Sequence, residues 1–244
     1  VALADRFRGC VINADALQVY AEWHLLTARP TEQDIARAPH RLYGHIPARQ
    51  GHSAGAWLRE LAEVLARCEN EGWRPVIVGG TGLYFKALTE GLVEIPETPD
   101  AIRAAAEARL AEGGRDALVG DLAGADPETL AAIDAQNPAR LMRAWEVLET
   151  TGRGLAAWQK ATPPPLLRPG QCIRLRLMPD RALLYQRIAR RLDAMLAAGV
   201  LDEVAAVARL DLPPACPAMK AVGAREFMDH LSGTLTLEAA RAAA

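Results

Sequence analysis

Apolar and polar positions along the chain follow two periodicities. Cys10–Ala14 (CVINA) and Pro75–Val78 (PVIV) are short apolar runs bounded by turn residues, the pattern of buried strands. Between them, Ser53 to Gly72 repeats at helical spacing, with Trp57, Leu61, Val64, Leu65 and Cys68 on one stripe. Ser53 suits the N-cap of that helix and Gly72 its C-terminal stop. Leu83–Thr89 predicts a further helix directly after Gly79-Gly80-Thr81-Gly82. Strand, helix, strand and helix in this order imply a parallel sheet. Val1–Arg8 reads as the end of a helix, and Thr27–Tyr43 as irregular or weakly helical.

After Pro96 the pattern changes. Asp100–Thr151 has no strand-like segment, and Asp126-Pro127 and Asn137-Pro138 each place a capping residue before a proline, the usual opening of a helix. The stretch closes on the run Pro163–Pro165. Ile173–Met178 (IRLRLM) then predicts a third strand. Asp180 is placed to cap a helix running to Ala197, with Leu183, Leu184, Ile188, Leu192 and Met195 as its buried stripe and Gly199 as its stop. The expected organisation is an α/β core from residues 1–95 and 166–244, interrupted by a helical insertion at 96–165.

Composition narrows the function. The chain has 244 residues, 50% hydrophobic and 24% charged, so it can bury a sizeable core and is not of disordered type. A net charge of −2 gives no general basic field, so any nucleic-acid contact must rest on a local patch. Cys10, Cys68, Cys172 and Cys216 have no CxxC spacing. That argues against a zinc ribbon or disulfide framework and suits a reducing cytoplasm. No apolar run approaches the roughly 20 residues of a membrane span, so no membrane partner is expected, and no repeat of solenoid length is present.

Three constellations could carry chemistry. Asp15 stands just past the C-terminal end of an apolar strand, where open parallel sheets bind ligands; it suits a substrate-facing carboxylate or a plain turn cap. Gly79-Gly80-Thr81-Gly82 joins a strand to a helix, which admits close approach of an anion or serves as a tight turn. It is not a Walker A loop, since no GxxxxGK[ST] occurs in the chain. Arg140 and Arg143 lie three apart on one helix face, as a phosphate clamp or a solvated basic face. Arg187, Arg190 and Arg191, and the pair Lys220 and Arg225 around Gly223, pose the same choice. His40 and His45 have no carboxylate or cysteine nearby in sequence to complete a metal set and read as structural. Trp23, Trp57, Trp73, Trp145 and Trp158 read as core.

These pieces occur as ordered blocks: VINADALQVY (11–20), LTARP (26–30), PHRLYGH (39–45), PVIVGGTGLYFKAL (75–88), NPARLMRAWEVLETTG (137–152) and RxxxMLxxGxxxEV (191–204). Together they resemble the tRNA dimethylallyltransferases, also called tRNA isopentenyltransferases, over essentially the whole chain. The resemblance implies a core like that of the P-loop kinases with a helical insertion that clamps the anticodon loop. It implies transfer of the dimethylallyl group of dimethylallyl diphosphate to the exocyclic N6 amine of the adenosine 3′ to the anticodon, with Mg2+. Asp15 then matches the general base, and Asp15, Ala16, Leu17 and Gln18 the strip against the flipped-out base. Ala16 stands where the family commonly has serine. Thr81 matches a threonine at the bridging oxygen of the diphosphate and Arg191 an arginine on the same side. Arg103, the segment Ala139, Arg140, Leu141, Met142, Arg143, and the segment Lys220, Ala221, Val222, Gly223, Ala224, Arg225 match tRNA-touching regions. The protein is expected to act in the cytoplasm as a monomer.

The family's phosphate loop precedes the helix that VALADRFRG resembles, and a basic, aromatic segment follows the region ending at Ala244. Neither motif lies within these residues. The expectation is a longer chain of which these are the ordered part, catalytically impaired as it stands and without metal ligands of its own. Alternative readings are a non-catalytic tRNA-binding fragment, and an adenylate prenyltransferase or small-molecule kinase on the same core.

Overall fold

A computed structural model describes residues 1–244. They divide into two compact units, Val1–Ala87 with Pro169–Ala244, and Leu88–Arg168.

The first unit is built on a small parallel sheet. Its strands are β1 (Gly9–Asn13), β2 (His40–Arg41) and β3 (Arg74–Val78), in the order β2-β1-β3, both neighbours parallel to β1. The central strand is buried along its whole length, as its unbroken apolar run requires. Around the sheet run α1 (Ala2–Phe7), α2 (Glu32–Arg37) and α3 (Ala54–Glu71), followed by α4 (Gly82–Glu90). The caps are local chemistry made visible. Ser53 accepts the amide of Ala56 to start α3, and Gly72 ends it in the left-handed region at φ 66°. Thr31 and Asp34 form a reciprocal capping box that gives α2 a firm start.

After the insertion, α9 (Arg181–Ala197) is capped by Asp180, and α10 (Val200–Ala208), α11 (Ala224–Leu231) and α12 (Leu237–Ala243) follow. They pack a second core in which Val200, Val204, Phe227 and Ala240 close on Val19, Tyr20 and Trp23. The Trp23 indole is satisfied there by donating to the Ala218 carbonyl at 2.8 Å. Glu203 draws the chain after β1 onto this core by accepting the backbone amides of His24, Leu25 and Leu26.

Two expectations fail here. Ile173–Met178 is not a strand: Ile173, Leu175 and Leu177 are 89%, 73% and 91% exposed and the segment pairs with nothing. Extended backbone becomes a strand only when a neighbour takes its N–H and C=O groups, and the sheet ends at β3. The third strand is instead the two-residue β2. The apolar stripe of α9 is likewise buried only at its C-terminal end. Leu192 and Met195 pack on the core while Leu183, Leu184 and Ile188 stay exposed.

The second unit is helical. It contains α5 (Asp100–Ala125), α6 (Pro127–Ala132), α7 (Pro138–Thr151) and α8 (Leu155–Gln159). Gly114, at φ 64° and ψ −166°, breaks α5 into two arms. Arg109 on the first arm holds Asp121 on the second through two hydrogen bonds of 2.9 and 2.8 Å. Asp126 and Asn137 cap α6 and α7, each with proline as the first helical residue. Leu118, Leu122, Leu141 and Ala144 form the core of this unit. No helix of the chain is long and apolar enough to cross a membrane.

Candidate active site

Adjacent parallel strands bring Asp15 and Thr81 together. In register, Asn13 of β1 lies beside Val78 of β3, so the turns that follow both strands leave the sheet side by side. The two turns are stitched at three points. Ala14 donates its amide to the Val78 carbonyl at 2.8 Å, Thr81 donates its amide to the Ala14 carbonyl at 3.2 Å, and Ala16 donates its amide to the Thr81 hydroxyl at 2.9 Å. Gly79 makes this closeness possible: a Cβ there would stand 2.1 Å from the Ala14 carbonyl oxygen. The first glycine of the GGTG run thus serves strand approach. Gly80 and Gly82 face open space, and α4 begins at Gly82 with its free N–H groups at the same place.

Asp15 is fixed from its own turn. Its Oδ1 accepts the amide of Leu17 at 2.8 Å and that of Gln18 at 3.4 Å, an Asx turn of ordinary type. The turn-cap role and the site role therefore coexist, because the two turn amides both go to Oδ1. The base of the turn is Asn13, a fully buried polar side chain that the apolar reading of CVINA passed over. Its amide donates to the carbonyls of Asp15 and Leu42, both at 2.9 Å, and its own oxygen accepts the Asp15 amide at 2.8 Å. The signal available was an amide in the middle of a strand-length hydrophobic run. Behind it, Trp57 donates its indole N–H to the Asn13 carbonyl at 2.8 Å and stacks on Tyr84, centroids 4.3 Å apart. Burial, then the Asp15 charge, pushes the Tyr43 phenol up to about 12. Tyr84 is raised for the same first reason, with Asp15 among its lesser causes. Both phenols stay protonated beside the carboxylate.

The other sequence candidates divide. Gln18 spends its side-chain amide on the carbonyls of Thr27 and Ala28 at 2.7 and 3.3 Å, so it shapes the turn and leaves only its oxygen for a ligand. Arg191 is exposed on α9, and no bond ties it to Asp15 or Thr81. Lys220, Val222 and Arg225 are exposed, whereas Ala221 and Ala224 are buried core residues and Gly223, at φ 85°, starts α11. Only the Val222 side chain, the flanking charges and the backbone of that segment can meet a partner.

In the helical unit Arg103 and Arg140 are exposed, Arg103 lying 3.6 Å from Asp100. Ala139 is exposed and Met142 half-buried. Leu141 belongs to the core, since a helix face cannot be outside and inside at once. Arg143 is not a free clamp: it donates to the Thr98 hydroxyl at 2.9 Å and lies 3.6 Å from Glu146.

A magnesium site takes an octahedral set of oxygens, often one or two carboxylates with substrate phosphates. Here one Asp15 oxygen is held by two amides and the Thr81 hydroxyl by one, and Asp15 belongs to no cluster of three metal-capable side chains. The chain's own residues at the strand ends do not make a magnesium site. The expectation that no carboxylate stands near His45 does not hold: the fold brings His52 and Glu60 against it.

The family model described as IPP transferase matches residues 18–244. A protein of Cereibacter sphaeroides named tRNA dimethylallyltransferase is 58% identical over 239 residues, covering 97% of this chain and 73% of its own. The crystal structure of the full-length tRNA isopentenylpyrophosphate transferase of Bacillus halodurans matches at TM-score 0.65 and 29% identity, over 99% of this chain and 75% of that one. A eukaryotic dimethylallyltransferase solved acting on tRNA shares the fold at TM-score 0.81 and 23% identity, over 98% of this chain and 60% of that one. The expected class, an α/β core of P-loop-kinase type with parallel sheet and helical insertion, is the class of these neighbours. On the match of its sequence from residue 18 to residue 244, the chain belongs to the IPP transferase family.

Proposed function

We propose that this chain, acting as a monomer in the cytoplasm, transfers the dimethylallyl group of dimethylallyl diphosphate to the N6 amine of the adenosine 3′ to the anticodon in tRNA. The observation that carries this reading is the joining of the turn that holds Asp15 to Thr81 at the ends of β1 and β3, the Ala16 amide donating to the Thr81 hydroxyl, in a chain whose relatives bear that activity in their names.

The chemistry suits both groups. The N6 nitrogen forms a bond to the allylic C1 carbon while the C1–oxygen bond breaks and pyrophosphate leaves. The amine sheds one proton, which passes to Asp15 Oδ2, the carboxylate oxygen to which neither turn amide goes. An exocyclic adenine amine is a weak nucleophile, so a fixed acceptor at that proton raises its reactivity as the bond forms. Negative charge grows on the departing oxygen. The Thr81 oxygen accepts from Ala16 and so keeps its own O–H to donate to that charge, supported by the N–H groups opening α4. The adenosine has to leave the anticodon-loop stack to reach Asp15. Ala16, Leu17 and Gln18 are assigned to flank it, and Arg191 to the diphosphate. Arg103, the outward residues Ala139, Arg140 and Met142, and Lys220, Val222 and Arg225 are assigned to the tRNA, the insertion at 96–165 forming the anticodon-loop clamp. Magnesium, which has no cage of its own here, would accompany the diphosphate, and no step is routed through it.

The test is direct. The protein is incubated with dimethylallyl diphosphate, magnesium and an unmodified anticodon stem-loop, and the RNA is weighed. The expected result is a gain of one dimethylallyl group on the target adenosine. RNA binding without any gain would mean a binding module, and modification of free AMP would mean an adenylate prenyltransferase.

A further inference from the structure

His45, His52 and Glu60 converge on one point. His45 lies in the loop after β2, His52 immediately precedes the N-cap of α3, and Glu60 stands on α3. The Nε2 atoms of both histidines point at the same carboxylate oxygen, Glu60 Oε2, at 2.9 and 3.1 Å. All three ligand atoms lie within 4.8 Å of one another. The His52 side chain is 2% exposed, whereas those of His45 and Glu60 are 30% and 31% exposed. The cluster is therefore anchored on its inner side and open on its outer side.

We propose that His45, His52 and Glu60 form a binding site for a borderline divalent cation, zinc foremost, with a water as fourth ligand. Ligands bound tetrahedrally to zinc through nitrogen or oxygen stand about 3.3 Å apart. The two histidine–carboxylate separations, 2.9 and 3.1 Å, differ from that by a few tenths of an ångström, and the two imidazole nitrogens lie within 4.8 Å of each other. Two imidazoles with one carboxylate select zinc and its neighbours over magnesium or calcium, which prefer all-oxygen sets. The outer support is also in place. His52 Nδ1 lies 3.4 Å from the Tyr84 hydroxyl, the partner a ligating imidazole needs when its other nitrogen binds metal. Without metal, a neutral His52 gives its Nε2–H to Glu60. With metal, its proton resides on Nδ1 and faces the Tyr84 oxygen. The ion clips the loop between β2 and α3 onto α3. The site is independent of the transfer reaction and holds whether or not that reading stands.

The experiment uses the whole protein, stripped with a chelator and titrated with zinc chloride by calorimetry, with cobalt absorption as a second readout. The expected result is one equivalent bound, a melting temperature raised by the metal, and a cobalt spectrum without the thiolate charge-transfer band. His45→Ala and Glu60→Gln, both at partly exposed positions that tolerate change, each weaken binding by roughly tenfold or more, while His230→Ala leaves it unchanged. Absence of binding, binding that survives both substitutions, or a thiolate band would overturn the site and leave a plain hydrogen-bond cluster.

Discussion

Asp15 holds one oxygen for its own turn and one for a ligand, and that division sets the first expectation. Asp15→Asn keeps the accepting oxygen for Leu17 and Gln18 but removes the proton acceptor. Turnover falls by about 10²–10⁴-fold with unchanged melting, measured as single-turnover modification of the stem-loop. Asn13 behaves in the opposite way, since its effect is on the fold first. Asn13→Ala leaves two part-buried carbonyls and one amide without these partners and costs about 2 kcal/mol, read by denaturant titration. Gly79 admits no side chain, because its Cβ would collide with the Ala14 carbonyl. Gly79→Ala therefore separates β1 from β3 at their ends and costs about 3 kcal/mol, whereas Gly80→Ala, in open space, is tolerated. The sequence names Asp15 and the GGTG run as candidates but does not reveal that their glycine serves the neighbouring strand. Nor does it disclose His52 and Glu60 as partners of His45. Those pairings arise across seven to fifteen positions of intervening chain, where no local rule reaches.

Among the elements, much of what depends on neighbours in sequence was legible, although the local capping box that starts α2 lay in a stretch read as irregular or weakly helical. The caps at Ser53, Asp126, Asn137 and Asp180 fall where side-chain oxygens and prolines place them. Whatever depends on a partner elsewhere was not. Ile173–Met178 has a strand's composition and no strand beside it, and β2 consists of a histidine and an arginine whose residue types give no strand signal. The two arms of α5 offer an element-level test. The Arg109 guanidinium bonded to Asp121 holds that carboxyl below the usual carboxylate range. A carboxyl so lowered contributes stability that is fully present above its ordinary value of 3.8 and is lost as pH falls through the lowered one. Arg109→Ala should lower stability slightly at neutral pH, since the pair is exposed and screened by solvent. The difference from the parent should vanish in acid below both values, as checked by urea melts across pH.

For the molecule as a whole, a net charge of −2 means that RNA affinity cannot come from a general field. It has to come from a few arginines, so the salt dependence of stem-loop binding is expected to be shallow. Arg140→Ala should lower the slope of log K against log salt by about 0.7–0.9, one phosphate contact, with the fold intact. Arg143→Ala should instead loosen the helical unit, because that side chain is committed to Thr98 and Glu146. Within the sheet-bearing unit, Trp57 joins α3 to the last residue of β1 and, through Tyr84, to α4. That arrangement makes the indole an optical probe built into the protein. It is held in a dry, fixed setting two residues from Asp15 along the hydrogen-bond path, so its emission registers any ligand that shifts the turn after β1. Subtracting the spectrum of a Trp57→Phe variant from that of the parent isolates this signal and times substrate entry without an attached label.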